Sequence, residues 1–148
     1  MRILIAVDFG LFGKAQTTFL HDYSAPDGSS LLVLHVIEPL VVVPSSSPSP
    51  FIATISPEVL TARRQAAQQL VEDVAERLRT RYTDVTTSVR DGSVGEEILA
   101  VAESWNADMI LVGSHGRTGL QRFLLGSVSA RIAEHAKCTV TIARSSAP

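Results

Sequence analysis

The chain has 148 residues, with 13 Lys or Arg against 15 Asp or Glu, a formal charge of −2. Hydrophobic residues make up 45 % and charged residues 19 %, with a mean hydropathy of +0.21. These values exclude a mostly disordered chain, which combines low hydrophobicity with high charge, and they supply no basic field for nucleic acid or an anionic membrane. The length suits one domain spanning residues 1–148. Aromatic residues are only 5 %, so the expected core is aliphatic. The single cysteine, Cys138, excludes an internal disulfide framework and suits a reducing compartment. The longest nearly apolar stretch, Leu31 to Val43, contains His35, Glu38 and Pro39 and is too short and too polar to span a bilayer. The first residues, MRILIAVD, place an aspartate where a signal peptide is still apolar. The expectation is a cytoplasmic protein without membrane association.

Ile3 to Val7 (ILIAV) is the first apolar run, closed by Asp8 and Gly10. Gly13 to Asp22 carries Ala15, Phe19 and Leu20 at spacings that suggest a short helix. Leu31 to Ile37 (LLVLHVI) is a second apolar run, followed by Pro44 to Pro50 (PSSSPSP), whose prolines and serines predict a flexible surface loop. That loop is read as a linker rather than a ligand lid. Ser56-Pro57-Glu58 gives an N-cap, a proline at the first helical position and an acid in the first turn. Val59, Ala67, Leu70, Val71, Val74 and Leu78 then repeat at helical steps to about Tyr82. Val85 to Val89 is a more polar strand. Ser93-Val94-Gly95-Glu96 matches a capping box before Ile98, Leu99 and Ala102. Met109 to Val112 is a third apolar run. The last helix sets Val128, Ile132, Ala133 and Ala136 on one face, and Thr139 to Ile142 is a second polar strand.

Continuous branched runs predict strands buried on both faces, and the two polar runs predict edge strands. Their alternation with helices predicts an α/β fold: a five-stranded parallel sheet with helices on both faces.

The stretch Val112 to Ser129 (VGSHGRTGLQRFLLGSVS) carries the chemistry. Gly113, Gly116 and Gly119 follow a buried strand, where glycine permits positive φ or close approach of a ligand to the main chain. Gly126 interrupts the helical run Leu120 to Leu125. Ser127 to Ser129 then present free N–H groups and two hydroxyls at a helix start, a ready anion site. The pattern is not a GxGxxG fingerprint. Gly10-Leu11-Phe12-Gly13-Lys14-Ala15 is not a phosphate loop either, because it is too short between glycines and has Ala15 where Ser or Thr must hold magnesium. His35 reads as a satisfied core histidine, and His21 and His135 as surface residues. The four histidines and Cys138 show no metal spacing. Arg117 and Arg122 flank the glycine loop and either pair with phosphate or meet solvent. Arg63-Arg64 and Arg77 to Arg81, mixed with Glu72, Asp73 and Glu76, read as a solvated helix face.

The spacing Gly113-x2-Gly116-x9-Gly126-Ser127 resembles the nucleotide-binding signature of the universal stress protein family. The similarity extends over nearly the whole chain, through ILIAVD, LLVLHVIE and DMILVGSHGRTGL. The resemblance implies a Rossmann-like sheet in the order 3-2-1-4-5 and homodimers paired through the last strand, Thr139, Val140, Thr141 and Ile142. It implies ATP as cofactor, with or without Mg2+. In that fold Asp8 and Gly113 line one crevice where the strand order reverses. Residue by residue, it implies that Ala6 and the main chain of Val36 border adenine. Asp8 lies near ribose and polyphosphate, and Val112 and Gly113 flank adenine and ribose. His115 and Gly116 run along the phosphates, and Gly126, Ser127, Val128 and Ser129 cradle them. Asp8 either accepts from a sugar hydroxyl, faces a metal, or caps the following turn. No catalytic residue is assigned, because nothing in the sequence orients His115 for acid–base work. The segment after Asp8 (FGLFGKAQTTFL) departs from the family's Ser-rich helix start. The expected function is an adenine-nucleotide-binding regulator of stress responses with slow or no hydrolysis. The alternatives are an ATP-using enzyme on the same crevice and a scaffold that does not bind nucleotide.

Overall fold

Three strands of this protein are mostly apolar because helices cover both their faces. The computed structural model describes residues 1–9, 23, 25–39, 56–114 and 125–144. The strands are β1 (Arg2–Ala6), β2 (Ser30–Ile37), β3 (Asp84–Asp91), β4 (Met109–Gly113) and β5 (Thr139–Ala143). The helices are α1 (Pro57–Arg79), α2 (Val94–Ser104) and α3 (Ser127–His135). The sheet runs β3-β2-β1-β4-β5 and every pair is parallel. The expected helix at 13–22, the Pro44–Pro50 loop, and His115, Gly116, Gly119, Arg117 and Arg122 lie outside the described residues.

The two-residue period of the strands sorts the core into two layers. Ile3, Ile5, Leu31, Val33, Met109 and Leu111 face Val71, Val74, Ala75 and Leu78 of α1. Leu4, Leu32, Leu34, Val36, Ile110 and Val112 face Ile98, Val101 and Ala102 of α2 and Ile132 of α3. β1 is the hinge of both layers: Ile5 is in register with Val33 on one side and Leu111 on the other. The polar strands β3 and β5 are the sheet edges, as their composition predicts.

Local signals fix the helix ends. Ser56 caps α1 by accepting from the Val59 N–H at 3.4 Å, with Pro57 in the first turn. A hydrogen bond from the Glu58 backbone N–H, and after it one from the Ser56 side chain, holds the Glu58 carboxyl below its ordinary range. α1 stops at Arg79, short of the expected Tyr82. There the N–H groups of Arg81 and Tyr82 both go to the Leu78 carbonyl, so the ladder does not advance. Tyr82 still packs into the core, 8 % exposed.

The capping box expected at Ser93 is not formed. Ser93 is the N-cap of α2 by position, but its side chain makes no capping bond. The C-terminus of α2 is closed by Asn106 at φ 51, with the Ala107 N–H on the Ala102 carbonyl at 2.8 Å and the Asn106 N–H on the Glu103 carbonyl at 3.1 Å. Such a paired closure satisfies carbonyls that the helix leaves open. In α3, Ile132 and Ser129 are buried and Val128 and Ala136 partly so. Ala133, expected on that face, is exposed because the short helix touches the sheet along a narrow stripe.

Cys138 sits in the bend before β5 rather than on the strand. Partial burial and the nearby Asp108 carboxylate push its thiol pKa up, which favours the unreactive protonated form. No described helix is long and apolar enough to cross a membrane.

Leu111 is fully buried in the central pair of strands. Leu111→Ala should cost about 2–5 kcal/mol, read as a lowered urea midpoint at unchanged slope.

Candidate functional site

The strand order reverses at β1, so the connections after β2 and β4 leave toward opposite faces. Between the carboxyl ends of β2, β1 and β4 and the start of α3 lies a crevice of about 670 Å³. That volume falls in the range of small-molecule sites. A second hollow of about 580 Å³ lies between α1 and β3, lined by Arg64, Gln68, Glu72 and Ser88. It is a polar surface trough that holds none of the glycine motif.

All the residues expected at the site line the crevice, except His115 and Gly116, which lie outside the described residues. Ala6, Val36 and Val112 supply apolar wall from three adjacent strands. Asp8 is half-buried two residues beyond the end of β1, and Gly113 ends β4. Gly126, Ser127, Val128 and Ser129 form the opposite end.

That end is built from main chain. The first helical bond of α3 is from the Ala130 N–H to the Gly126 carbonyl at 2.9 Å. The N–H groups of Ser127, Val128 and Ser129 therefore have no backbone acceptor among the described residues and point out of the helix start. Gly126 is held in place because its own N–H donates to the Ser114 carbonyl at 2.9 Å, while the Ser114 N–H donates to Ala143 at 2.9 Å. One residue, Ser114, thus ties the start of α3 to the ends of β4 and β5, through its carbonyl to Gly126 and its N–H to Ala143.

Two details sharpen the sequence-based reading, the second of them by departing from it. Among the described residues only Gly28 and Gly92 are glycines with positive φ; Gly126 sits at φ −62, ψ 154, which any residue adopts. Backbone conformation does not require glycine at 126, which leaves the missing side chain as its physical role. Ser129 is 2 % exposed, and its hydroxyl donates to the Gly126 carbonyl at 2.9 Å, with the Ser114 carbonyl at 3.4 Å. Its hydroxyl secures the helix start and leaves Ser127 as the exposed hydroxyl.

Several lining residues were not legible as such in the sequence. Arg63 was expected on a solvated face; it lines the crevice, and its guanidinium donates to the Glu38 carbonyl at 3.0 Å. Ala66 lies nearby on α1, and Val94 and Ile98 line the crevice from the first turns of α2. The available signal was positional: α1 and α2 begin where β2 and β3 end, so their first turns border the carboxyl side of the sheet. His35 is the satisfied core histidine expected, its Nδ1 2.7 Å from the Val7 carbonyl, and it also lines the crevice. Phe9 packs edge-on against it, ring centroids 4.9 Å apart. Among the described residues no group of His, Cys, Asp or Glu could hold a metal by itself. His135 is exposed.

A parallel sheet that reverses its order at β1, with a crevice at the reversal and a helix N-terminus at one end, defines a doubly wound α/β protein. The universal stress protein family model matches residues 1–144, and the chain belongs to that family. It is 29 % identical to universal stress protein YxiE of Bacillus subtilis over 97 % of this chain and 98 % of that one. It is 36 % identical to universal stress protein MJ0531 of Methanocaldococcus jannaschii over 59 % of this chain, which spans about half (49 %) of that protein. Among solved structures it resembles MJ0577, from the same archaeon, with TM-score 0.80 at 21 % identity over 99 % of this chain and 97 % of that one. It also resembles a universal stress protein of Archaeoglobus fulgidus in complex with dAMP (TM-score 0.63, 16 % identity, 97 % of each chain). A third resemblance is to an Arabidopsis thaliana family member with AMP bound (TM-score 0.59, 16 % identity, 97 % and 91 %). These likenesses establish the 3-2-1-4-5 fold.

Ser129→Ala should lower stability by about 1 kcal/mol, the worth of one buried hydrogen bond. Ser127→Ala, at an exposed hydroxyl, should leave stability within about 0.5 kcal/mol. Urea unfolding of the two variants side by side measures the difference.

Proposed function

We propose that the chain binds ATP in this crevice, as a member of the signature-bearing branch of its family, and acts in the cytoplasm as a nucleotide-responsive regulator of stress responses. The observation that carries the reading is the start of α3, where a glycine that the backbone does not need leaves the N–H groups of Ser127, Val128 and Ser129 open to an anion. Adenine lies at the apolar end, against Ala6, Val112 and the main chain of Val36. Ribose and polyphosphate pass Asp8 and Gly113, and His115 and Gly116 run along the phosphates beside Gly126, Ser127, Val128 and Ser129. Mg2+, where present, is held by the phosphates together with Asp8. The AMP and dAMP bound by two structural relatives, and the cAMP bound by another, support an adenine nucleotide as the ligand. Hydrolysis is slow or absent: the described hydroxyl of Ser129 and the Nδ1 proton of His35 are both engaged by carbonyls. Residues 1–148 act as one unit.

The chain pairs with a second copy through β5. This strand has one neighbour, β4, and its outer edge leaves main-chain groups unpaired. An antiparallel match about a twofold axis satisfies them. Val140 and Ile142, expected between the subunits, already pack against the layer that contains Ile132, so the pairing is chiefly a main-chain one.

Gly126→Val should place a branched side chain over the open N–H groups and abolish ATP binding in calorimetry, with an unchanged circular dichroism spectrum. Wild-type affinity in that variant overturns the site. In light scattering the wild-type chain should give a mass near 32 kDa, twice the 15.9 kDa chain. Thr141→Pro, which removes a strand donor, should shift it toward the monomer. A wild-type monomer at micromolar concentration, or an unaffected Thr141→Pro dimer, removes the β5 interface.

A further inference from the structure

The second edge of the sheet, β3, has 8 residues, all in register with β2, and carries no bulge and no proline. One bond just past the strand shows which of its main-chain groups are spent: the Gly92 N–H donates to the Ile37 carbonyl at 3.1 Å. Main-chain groups alternate in direction along a strand. Thr86, Ser88 and Arg90 therefore turn toward β2 with Gly92, and Val85, Thr87, Val89 and Asp91 turn outward. Arg79 agrees with that sense, because its guanidinium donates at 3.4 Å to the Val85 carbonyl, which the ladder leaves open.

The outward groups are closed at both ends and open in the middle. At one end Arg79 holds the Val85 carbonyl while pairing with Glu72. At the other, Arg64 pairs with the Asp91 carboxylate at 2.7 Å. Between them the N–H and C=O of Thr87 and Val89 have no partner among the described residues. The trough of about 580 Å³ between α1 and β3 opens on this stretch, and its far wall is a row of amides, Gln65, Gln68 and Gln69. Their three- and four-residue spacing sets them on one side of α1. Gln69 is tied to Asp73 at 2.7 Å, whereas Gln65 and Gln68 make no hydrogen bond among the described residues. Both charged groups of the wall, Arg64 and Glu72, are already in ion pairs.

We propose that this slot docks a short extended segment of another protein by strand addition to β3. The main chain of the segment pairs with Thr87 and Val89. It is uncharged, and it carries Ser, Thr, Asn or Gln at the alternate positions that face α1, where Gln65 and Gln68 exchange hydrogen bonds with them. The paired state of Arg64 and Glu72 leaves the slot hydrogen-bonding groups rather than a net charge, which suits a neutral polar chain and not a nucleic acid or a small anion. A second copy of the chain fits poorly. Laid antiparallel with Thr87 opposite Val89, it brings Arg79 of one copy against Arg64 of the other at both ends, like charge against like. None of these residues lines the crevice, so the proposal stands apart from the nucleotide reading.

The probe is an end-capped peptide of alternating Thr and Ser, about six residues long to match the roughly 20 Å from Val85 to Asp91. It is titrated into the isotope-labelled full chain and followed by amide NMR. The amide protons of Thr87 and Val89 should move downfield and saturate, while those of Thr86 and Ser88, already bonded to β2, move less. The same peptide methylated at alternate main-chain nitrogens should leave all of them in place. Gln65→Ala with Gln68→Ala, both at exposed positions, should weaken the unmodified peptide by about threefold or more without changing the rest of the spectrum. No movement at millimolar peptide, or equal movement with the methylated one, overturns strand addition at β3. Unchanged affinity in the double variant overturns the amide wall as the source of selectivity. Thr87 and Val89 resonances that move with protein concentration alone place a second copy on this edge and overturn the assignment to another protein.

Discussion

Everything at the site follows from the reversal of the sheet at β1. The chain lays β2 and β3 on one side of β1, then crosses to lay β4 and β5 on the other. A parallel crossover has one hand, so the direction of travel decides which face its helix covers. α1 therefore covers the layer around Ile5 and Val33, while α2 and α3 cover the layer around Leu4 and Ile110. Where the two directions diverge, the crevice opens above the carboxyl ends of the strands. Beneath it the centre of the sheet is fully buried, with Ile3, Leu4, Ile5, Ile110 and Leu111 all at 0 % exposure.

That close-packed support accounts for how a site made mainly of backbone can be accurate. The Ser114 carbonyl, directly after β4, receives the Gly126 N–H and lies within reach of the Ser129 hydroxyl. The helix start is thus referenced to the sheet through a single peptide unit. Main-chain N–H groups cannot change rotamer, so their direction is as fixed as the helix that carries them.

Much of this was legible in the sequence, for reasons that differ by element. β1, β2 and β4 announced themselves because burial on both faces removes polar residues from every position, and β3 and β5 because an edge readmits Thr, Ser and Arg. α1 was marked by Ser56-Pro57. Strand order was not legible from periodicity, which reports burial but not neighbours; it came through the resemblance carried by Gly113, Gly116, Gly126 and Ser127. The same resemblance marked the main-chain end of the crevice. Arg63, Val94 and Ile98 stayed hidden because which helical turn overlooks the crevice depends on how α1 and α2 dock, not on local pattern. Ser93 misled in the opposite direction: its spacing to Glu96 fits a capping box, yet the hydroxyl makes no capping bond.

The outer edge of β5 has a consequence for partner choice. Its apolar side chains, Val140 and Ile142, are turned toward the layer beneath α3, so the edge itself displays amide and carbonyl groups in a regular row. Such a row is the same on every strand of matching length and twist, whatever its sequence. In the proposed pairing such a row would not by itself distinguish a twin from a cousin of this fold. Discrimination falls to the ends of the strand. Lys137 is drawn aside there by Glu103 at 2.6 Å, and Arg144 is exposed beyond Ala143. In the pairing proposed above, an edge of this kind would admit related chains as well as a second copy, with charge at the two ends of the strand as the discriminating feature.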